Sequence, residues 1–95
     1  MKNFNITMGK GFQMKFDNGY AVSIQFGYGN YCDNSNESKA INTPNCQSND
    51  AECAVFDPNG DLVDIMGWGD TVRGWMSPSE VVELINAVSA MEESE

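Results

Sequence analysis

The chain contains no histidine, so the commonest general base, and the usual partner of a nucleophilic serine or cysteine, is missing. Enzymatic activity is therefore not expected. Basic residues are also scarce. Four lysines and one arginine, Arg73, stand against fourteen Asp and Glu, giving a net charge of −9. Recognition of duplex DNA or of an anionic membrane needs several basic groups to neutralise phosphates, so neither partner is expected. No apolar run approaches the roughly 18 residues of a membrane span, and the opening MKNFNITMGK has no apolar stretch of signal-peptide length. Cytoplasmic residence is the expectation. The three cysteines, Cys32, Cys46 and Cys53, lack C-x-x-C spacing, and with no histidine a tetrahedral zinc set would need Asp33 as its fourth ligand. The run DPNGD places its glycine fourth rather than sixth, unlike a calcium loop. No metal or cofactor is expected. Thiols are the expected cysteine state in a reducing compartment, and a bridge within the polar loop stays open for a secreted chain.

What is present suffices for one small domain, since 95 residues fall within the size of a single core. The charge is uneven. Residues 1–32 carry Lys2, Lys10 and Lys15 against Asp17, a net +2, which leaves −11 for residues 33–95. An acidic surface of this kind confers solubility, and it also suits a basic protein partner.

FQMKFDNGYAVSIQF alternates with period two, as a β-hairpin requires. A two-residue Asn18-Gly19 turn would send its two apolar rows to opposite faces. A three-residue loop, Asp17-Asn18-Gly19, pairs Phe16 with Tyr20, Met14 with Val22 and Phe12 with Ile24, and puts Gly19 in the left-handed position. The second arrangement is expected. The device recurs in ECAVFDPNGDLVDIM, where a Pro58-Asn59-Gly60 turn pairs Phe56 with Leu62, Val55 with Val63 and Cys53 with Ile65. Both faces of this hairpin are partly apolar. A helix can cover one, and the other calls for a further layer or a second subunit, hence a homo-oligomer.

In WMSPSEVVELINAVSAM, Ser77 is an N-cap, Pro78 suits the first helical position, Glu80 completes a capping box, and Met76 and Val81 are spaced for a hydrophobic staple. Val81, Leu84, Ile85, Val88 and Met91 form the apolar stripe. A short strand around Phe4–Thr7 is expected beside the first hairpin. The fold class is thus α+β, an antiparallel sheet of four to five strands from two hairpins with one C-terminal helix packed on a face. Residues 1–91 form the domain, 33–50 a long polar loop, and 92–95 a frayed acidic tail.

Two glycine–aromatic segments attract attention. Gly27, Tyr28, Gly29, Asn30, Tyr31 and Asp33 follow the first hairpin, and glycines there let backbone N–H groups approach a ligand. GWGDTVRGW, residues 67–75, brings Trp68, Asp70, Arg73 and Trp75 to the helix N-terminus, whose free N–H groups favour an anion. Stacking rings, one guanidinium and backbone donors suit a small nucleotide-like ligand, provided both segments border one hollow. A second candidate surface is acidic, formed by Asp50, Glu52, Asp57, Asp61 and Asp64, whose carboxylates imitate a nucleic-acid backbone to a basic groove.

The block FQMKFDNGYAVSIQFGYGNYCDN, residues 12–34, resembles a group of small proteins from bacteriophages and mobile elements, and WGDTVRGWMSPSEVVELI, residues 68–85, resembles a later part of the same pattern. The resemblance implies a genomic setting, that of a phage in an infected bacterium, and not a chemistry; in that setting a small, acidic, non-enzymatic cytoplasmic domain is expected to be an anti-defence protein. It assigns no site residues. Two routes fit this setting: sequestration of a nucleotide-type immune signal, placed slightly ahead, and acidic inhibition of a defence nuclease such as a CRISPR effector. A small structural or assembly protein of a phage is a third.

Overall fold

The computed structural model describes residues 2–7, 10–27, 30–33 and 47–92. Tyr28, Gly29, Cys46, residues 34–46 of the polar loop and the last three residues of the acidic tail lie outside that range. Six strands, β1 (Phe4–Ile6), β2 (Gly11–Lys15), β3 (Ala21–Gln25), β4 (Ala51–Phe56), β5 (Leu62–Val63) and β6 (Val72–Met76), precede one helix, α1 (Pro78–Ser89). All strand pairs are antiparallel. The order is β1-β2-β3-β4, and β5 and β6 both pair with the remaining edge of β4.

The first hairpin has the three-residue loop that alternation demands. Phe12 pairs with Ile24 and Met14 with Val22, the Phe16 N–H donates to the Tyr20 carbonyl at 2.8 Å, and Gly19 sits at φ 89. The second hairpin begins as expected, with Phe56 opposite Leu62 and Val55 opposite Val63. Cys53, however, pairs with Arg73 and not with Ile65. The strand breaks after Val63 because the Asp64 carboxylate captures two backbone donors, Trp68 N–H at 2.9 Å and Gly69 N–H at 2.8 Å. Gly67 and Gly69 supply the left-handed turns, at φ 75 and 82. β5 and β6 are therefore two pieces of one edge strand, interrupted by an excursion from Asp64 to Thr71. The segment expected to be wholly loop, residues 67–75, contributes most of β6.

Period-two alternation puts Val22, Ile24, Ala51, Cys53 and Val55 on one face, where they join Met76, Leu84 and Val88 in the buried core. Val81 and Ile85 complete the helix's contact with that core. The capping box is closed in both directions. The Glu80 N–H donates to Ser77 Oγ at 3.2 Å, and the Ser77 N–H donates to Glu80 Oε1 at 2.9 Å. On the opposite face Ala21, Ser23 and Ala54 are buried, while Leu62 is 45% exposed.

The other end of the helix is capped from a distance. Asn18, in the first hairpin turn, donates from Nδ2 to the carbonyls of Val88 at 2.8 Å and Met91 at 2.9 Å, and its Oδ1 accepts the Tyr20 N–H at 3.0 Å. One side chain thus shapes the turn and ties down the C-terminal end of the helix, adding a second donor to the Val88 carbonyl beside the Met91 N–H at 3.2 Å and reaching the Met91 carbonyl just past the last turn. Asn18→Ala is expected to destabilise the protein by about 1–3 kcal/mol, since two side-chain hydrogen bonds worth about 0.5–1.5 kcal/mol each are lost. Urea unfolding with an unchanged slope will read the loss directly, and an unaltered midpoint would contradict the cap.

Candidate functional site

The site arises from a mismatch in strand length. Between the pairs Cys53–Arg73 and Ala51–Met76, β4 advances two residues while β6 advances three. This extra residue is a β-bulge, and it lets both Arg73 and Met76 meet the helix-side face, which strict alternation forbids. The residues between them, Gly74 and Trp75, leave the regular pleat. Trp75 takes φ 52, the one non-glycine residue at positive φ among those described. For a bulky side chain that conformation costs about 1–3 kcal/mol and persists only where neighbours over-determine it.

Those neighbours come from the segment after β3. The Trp75 N–H donates to the Tyr31 carbonyl at 2.8 Å, and the two rings stack with centroids 5.7 Å apart and planes 17° from parallel. Gly74 is obligatory beneath them, because a Cβ there would lie 2.4 Å from Tyr31 Cβ and 2.8 Å from its carbonyl oxygen. Glu52, on the sheet face away from the helix, holds the same segment. Its Oε2 accepts the Tyr31 N–H at 2.8 Å, and its Oε1 accepts from Asn30 Nδ2 at 3.3 Å. Although so closely held, Tyr31 and Trp75 remain 58% and 61% exposed. Asn30 Oδ1 is buried without a donor among the described residues, an arrangement costing about 1–3 kcal/mol.

Gly27 is buried and turned inward: its N–H meets Cys32 Sγ at 3.4 Å and its carbonyl accepts the Asn30 N–H at 3.1 Å. Asp33 is a loop clamp. Its carboxylate accepts from Ser48 Oγ at 2.5 Å and from Asn49 at both backbone N and Nδ2, while its own N–H donates to Asp50 Oδ1 at 2.7 Å. The Ser48 hydroxyl, followed by the Asn49 N–H, holds the Asp33 carboxyl below its ordinary range.

Trp68 and Arg73 are elsewhere. Trp68 packs against the core, and Arg73 reaches Glu80 Oε2 at 3.4 Å in an ion pair. With Met66, Glu83 and Leu84 they line a recess of about 80 Å³ on the helix side. The hollow expected to unite both indoles, the phenols and the guanidinium is thus divided. Tyr31 and Trp75 stand together in solvent, whereas Trp68 and Arg73 border a small recess that holds two carboxylates for one cation. The helix N-terminus is occupied by its own capping box. Asp70 accepts its neighbouring Thr71 N–H at 2.6 Å.

The acidic set is divided as well. Asp50 and Glu52 hold the 30–33 segment beside the aromatic pair, and Asp64 closes the interrupted edge. Asp57 accepts the N–H groups of Asn59 at 2.9 Å and Asp61 at 3.0 Å, which places it and Asp61 in the hairpin turn. Five residues at about 3.3 Å apiece set Asp57 roughly 17 Å from Glu52 along β4. Burial, with Glu52 and Glu80 nearby, pushes the Cys53 thiol up to about 12, and Cys32 is also buried. Among the described residues no cluster of three or more His, Cys, Asp or Glu is arranged to hold a metal ion. None of their helices is long and apolar enough to cross a membrane.

Two contributions escaped the sequence reading. Glu52 appeared only as surface charge, and Glu80 only as a cap. The capping box does place Glu80 on the first helical turn, but its contact with Arg73 depends on the bulge that turns Arg73 to the helix side. No protein-family model matches the chain, and no curated protein or solved structure matches it.

Two outcomes follow from this geometry. The Ser77 backbone N–H, then its hydroxyl, and then Arg73 hold the Glu80 carboxyl below its ordinary 4.5. Its stabilising contribution is complete above pH 4.5 and is lost as pH falls through the lower folded value. Thermal melts between pH 6 and about 2.5 are expected to fall less steeply in Glu80→Gln, which keeps an acceptor but cannot titrate. Trp75→Gly is expected to leave stability within about 1 kcal/mol of the parent, because relief of the strained φ offsets the lost stack. A loss of several kcal/mol in chemical denaturation would mean that the indole is structural.

Proposed function

We propose that the protein is a non-enzymatic binding module whose contact surface is the Tyr31–Trp75 pair with the carboxylates around it, and that its partner is a basic protein surface. The observation that carries this reading is a rigid, well-anchored pair of large aromatic rings left more than half exposed in a chain of net charge −9. Tyrosine and tryptophan are the residue types that dominate binding energy at protein interfaces. An arginine can stack on an indole face while neighbouring carboxylates neutralise it. Asp33, Asp50 and Glu52 supply that negative field beside the pair. Their hydrogen bonds to the loop fix their positions.

In the phage setting that the resemblance implies, such a module is an anti-defence protein that inhibits a host nuclease through a basic groove. Sequestration of a nucleotide-type signal is the second reading, and the aromatic stack is what speaks for it. Against it stand the Arg73–Glu80 pair and the closed capping box, which occupy the two anion-holding features that route would use.

The test pairs two ligand classes. Titration with an arginine-rich peptide, followed by indole fluorescence, is expected to give affinity that falls as salt rises. Trp75→Gly should weaken it about 30-fold, the loss of roughly 2 kcal/mol typical of a central aromatic anchor. Arg73→Ala should bind as the parent does. Thermal stabilisation by a cyclic or linear oligonucleotide, abolished by Arg73→Ala, would instead establish the sequestration route.

A further inference from the structure

The two edges of the sheet differ in kind. One is the β5–β6 edge, broken by the excursion from Asp64 to Thr71 and flanked by Asp61, Asp64, Asp70 and Arg73. Interruptions and charges of this sort protect an edge from pairing with another strand. The other edge is β1, which is regular, uncharged from Asn3 to Thr7, and free of proline. Its two large side chains, Phe4 and Ile6, are 71% and 80% exposed.

The register settles which backbone groups face outward. The Lys15 N–H donates to the Asn3 carbonyl at 2.8 Å and the Thr7 N–H to the Gly11 carbonyl at 3.0 Å, so Asn3, Asn5 and Thr7 are the β1 residues bonded to β2. In an antiparallel ladder bonded and non-bonded pairs alternate. The N–H and C=O groups of Phe4 and Ile6, opposite Met14 and Phe12, therefore point away from the sheet. Among the described residues nothing pairs with them.

We infer that β1 is the contact by which two copies of this chain associate, antiparallel, about a two-fold axis through Asn5. In that register Phe4 of each copy exchanges both backbone hydrogen bonds with Ile6 of the second copy, and all four outward groups of each strand are satisfied. A two-fold contact must be self-complementary, and a strand with its outward residues placed symmetrically about Asn5 meets that requirement. The side chains agree with the backbone. Phe4 and Ile6 lie on the same face as the partly buried Phe12 and Met14, so pairing joins the apolar rows of the two sheets into one strip.

Charge selects the same edge. Residues 33–95 carry −11 and repel their counterparts in a second copy, whereas residues 1–32 carry only +2. The edge is short. Three residues and two apolar side chains are far less than the roughly 800 Å² per partner of a standard interface, so the dimer is weak and concentration-dependent. It lies on a different strand from the Tyr31–Trp75 surface and does not depend on the function proposed for that surface.

Sedimentation equilibrium over a dilution series will test this. The parent is expected to approach 10.4 kDa when dilute, and to rise toward twice that mass near about 1 mM, where weak interfaces saturate. Ile6→Pro removes an outward N–H that β2 does not use, and should stay monomeric throughout with an unchanged circular dichroism spectrum. Ile6→Lys should do the same and serves should the proline variant fail to fold. Directly opposed non-bonded residues lie with Cα atoms about 4.5 Å apart, within disulfide range. Asn5→Cys is therefore expected to cross-link two copies under mild oxidation, while Asn3→Cys, displaced along the strand, should not. A parent that remains at 10.4 kDa at the highest concentration, or both position-6 variants associating like the parent, would overturn the inference.

Discussion

The added residue in β6 is the constraint on which the rest of the site depends. Without it, alternation would commit Arg73 and Met76 to opposite faces. With it, Met76 enters the core, Arg73 reaches the first turn of the helix, and Trp75 is forced out of the pleat into a conformation that tryptophan seldom adopts. The partner that makes this tolerable is Tyr31, which contributes its carbonyl and its ring. Tyr31 is held in turn by Glu52, itself part of the central strand β4. A side chain that packing alone would have buried is thus kept in solvent by a chain of identifiable bonds.

Electrostatics then narrows the kind of partner. The only arginine is committed to Glu80, and the helix N-terminus is closed by its own residues. Asp33, Asp50 and Glu52 each accept a backbone N–H of the segments beside the aromatic pair. A surface of two stacked rings within a negative field is suited to cations carried on a protein, and unsuited to a phosphate that would have to displace Glu80 before meeting a guanidinium. This balance favours the acidic-inhibitor route over the sequestration route, although the sequence by itself places the latter slightly ahead.

Much of the fold was legible in the residues because local rules agreed with one another. Asp17-Asn18-Gly19 fixed the register of the first hairpin through the position of its glycine, and Ser77, Pro78 and Glu80 marked the helix start to the residue. What could not be read lay outside simple alternation. Asp64 sits between Val63 and Ile65 in a pattern that looks like continuing strand, and only its capture of the N–H groups four and five residues on ends β5. Trp68, Arg73 and Trp75 look alike in a glycine-rich segment, yet one packs on the core, one pairs with the helix and one meets solvent. Spacing alone does not reveal a bulge. Asn18 also reads as a turn residue, and its capping of the helix depends on a contact across 70 positions of sequence.

Trp75 is held outward, and on the proposal above a partner covers it. Acrylamide quenching of Trp75 fluorescence, in a Trp68→Phe background that leaves a single indole, measures this most directly. Quenching is expected to be efficient in the free protein and strongly reduced once an arginine-rich peptide is bound. Quenching that stays the same with the peptide bound, or an indole already shielded in the free protein, would contradict it.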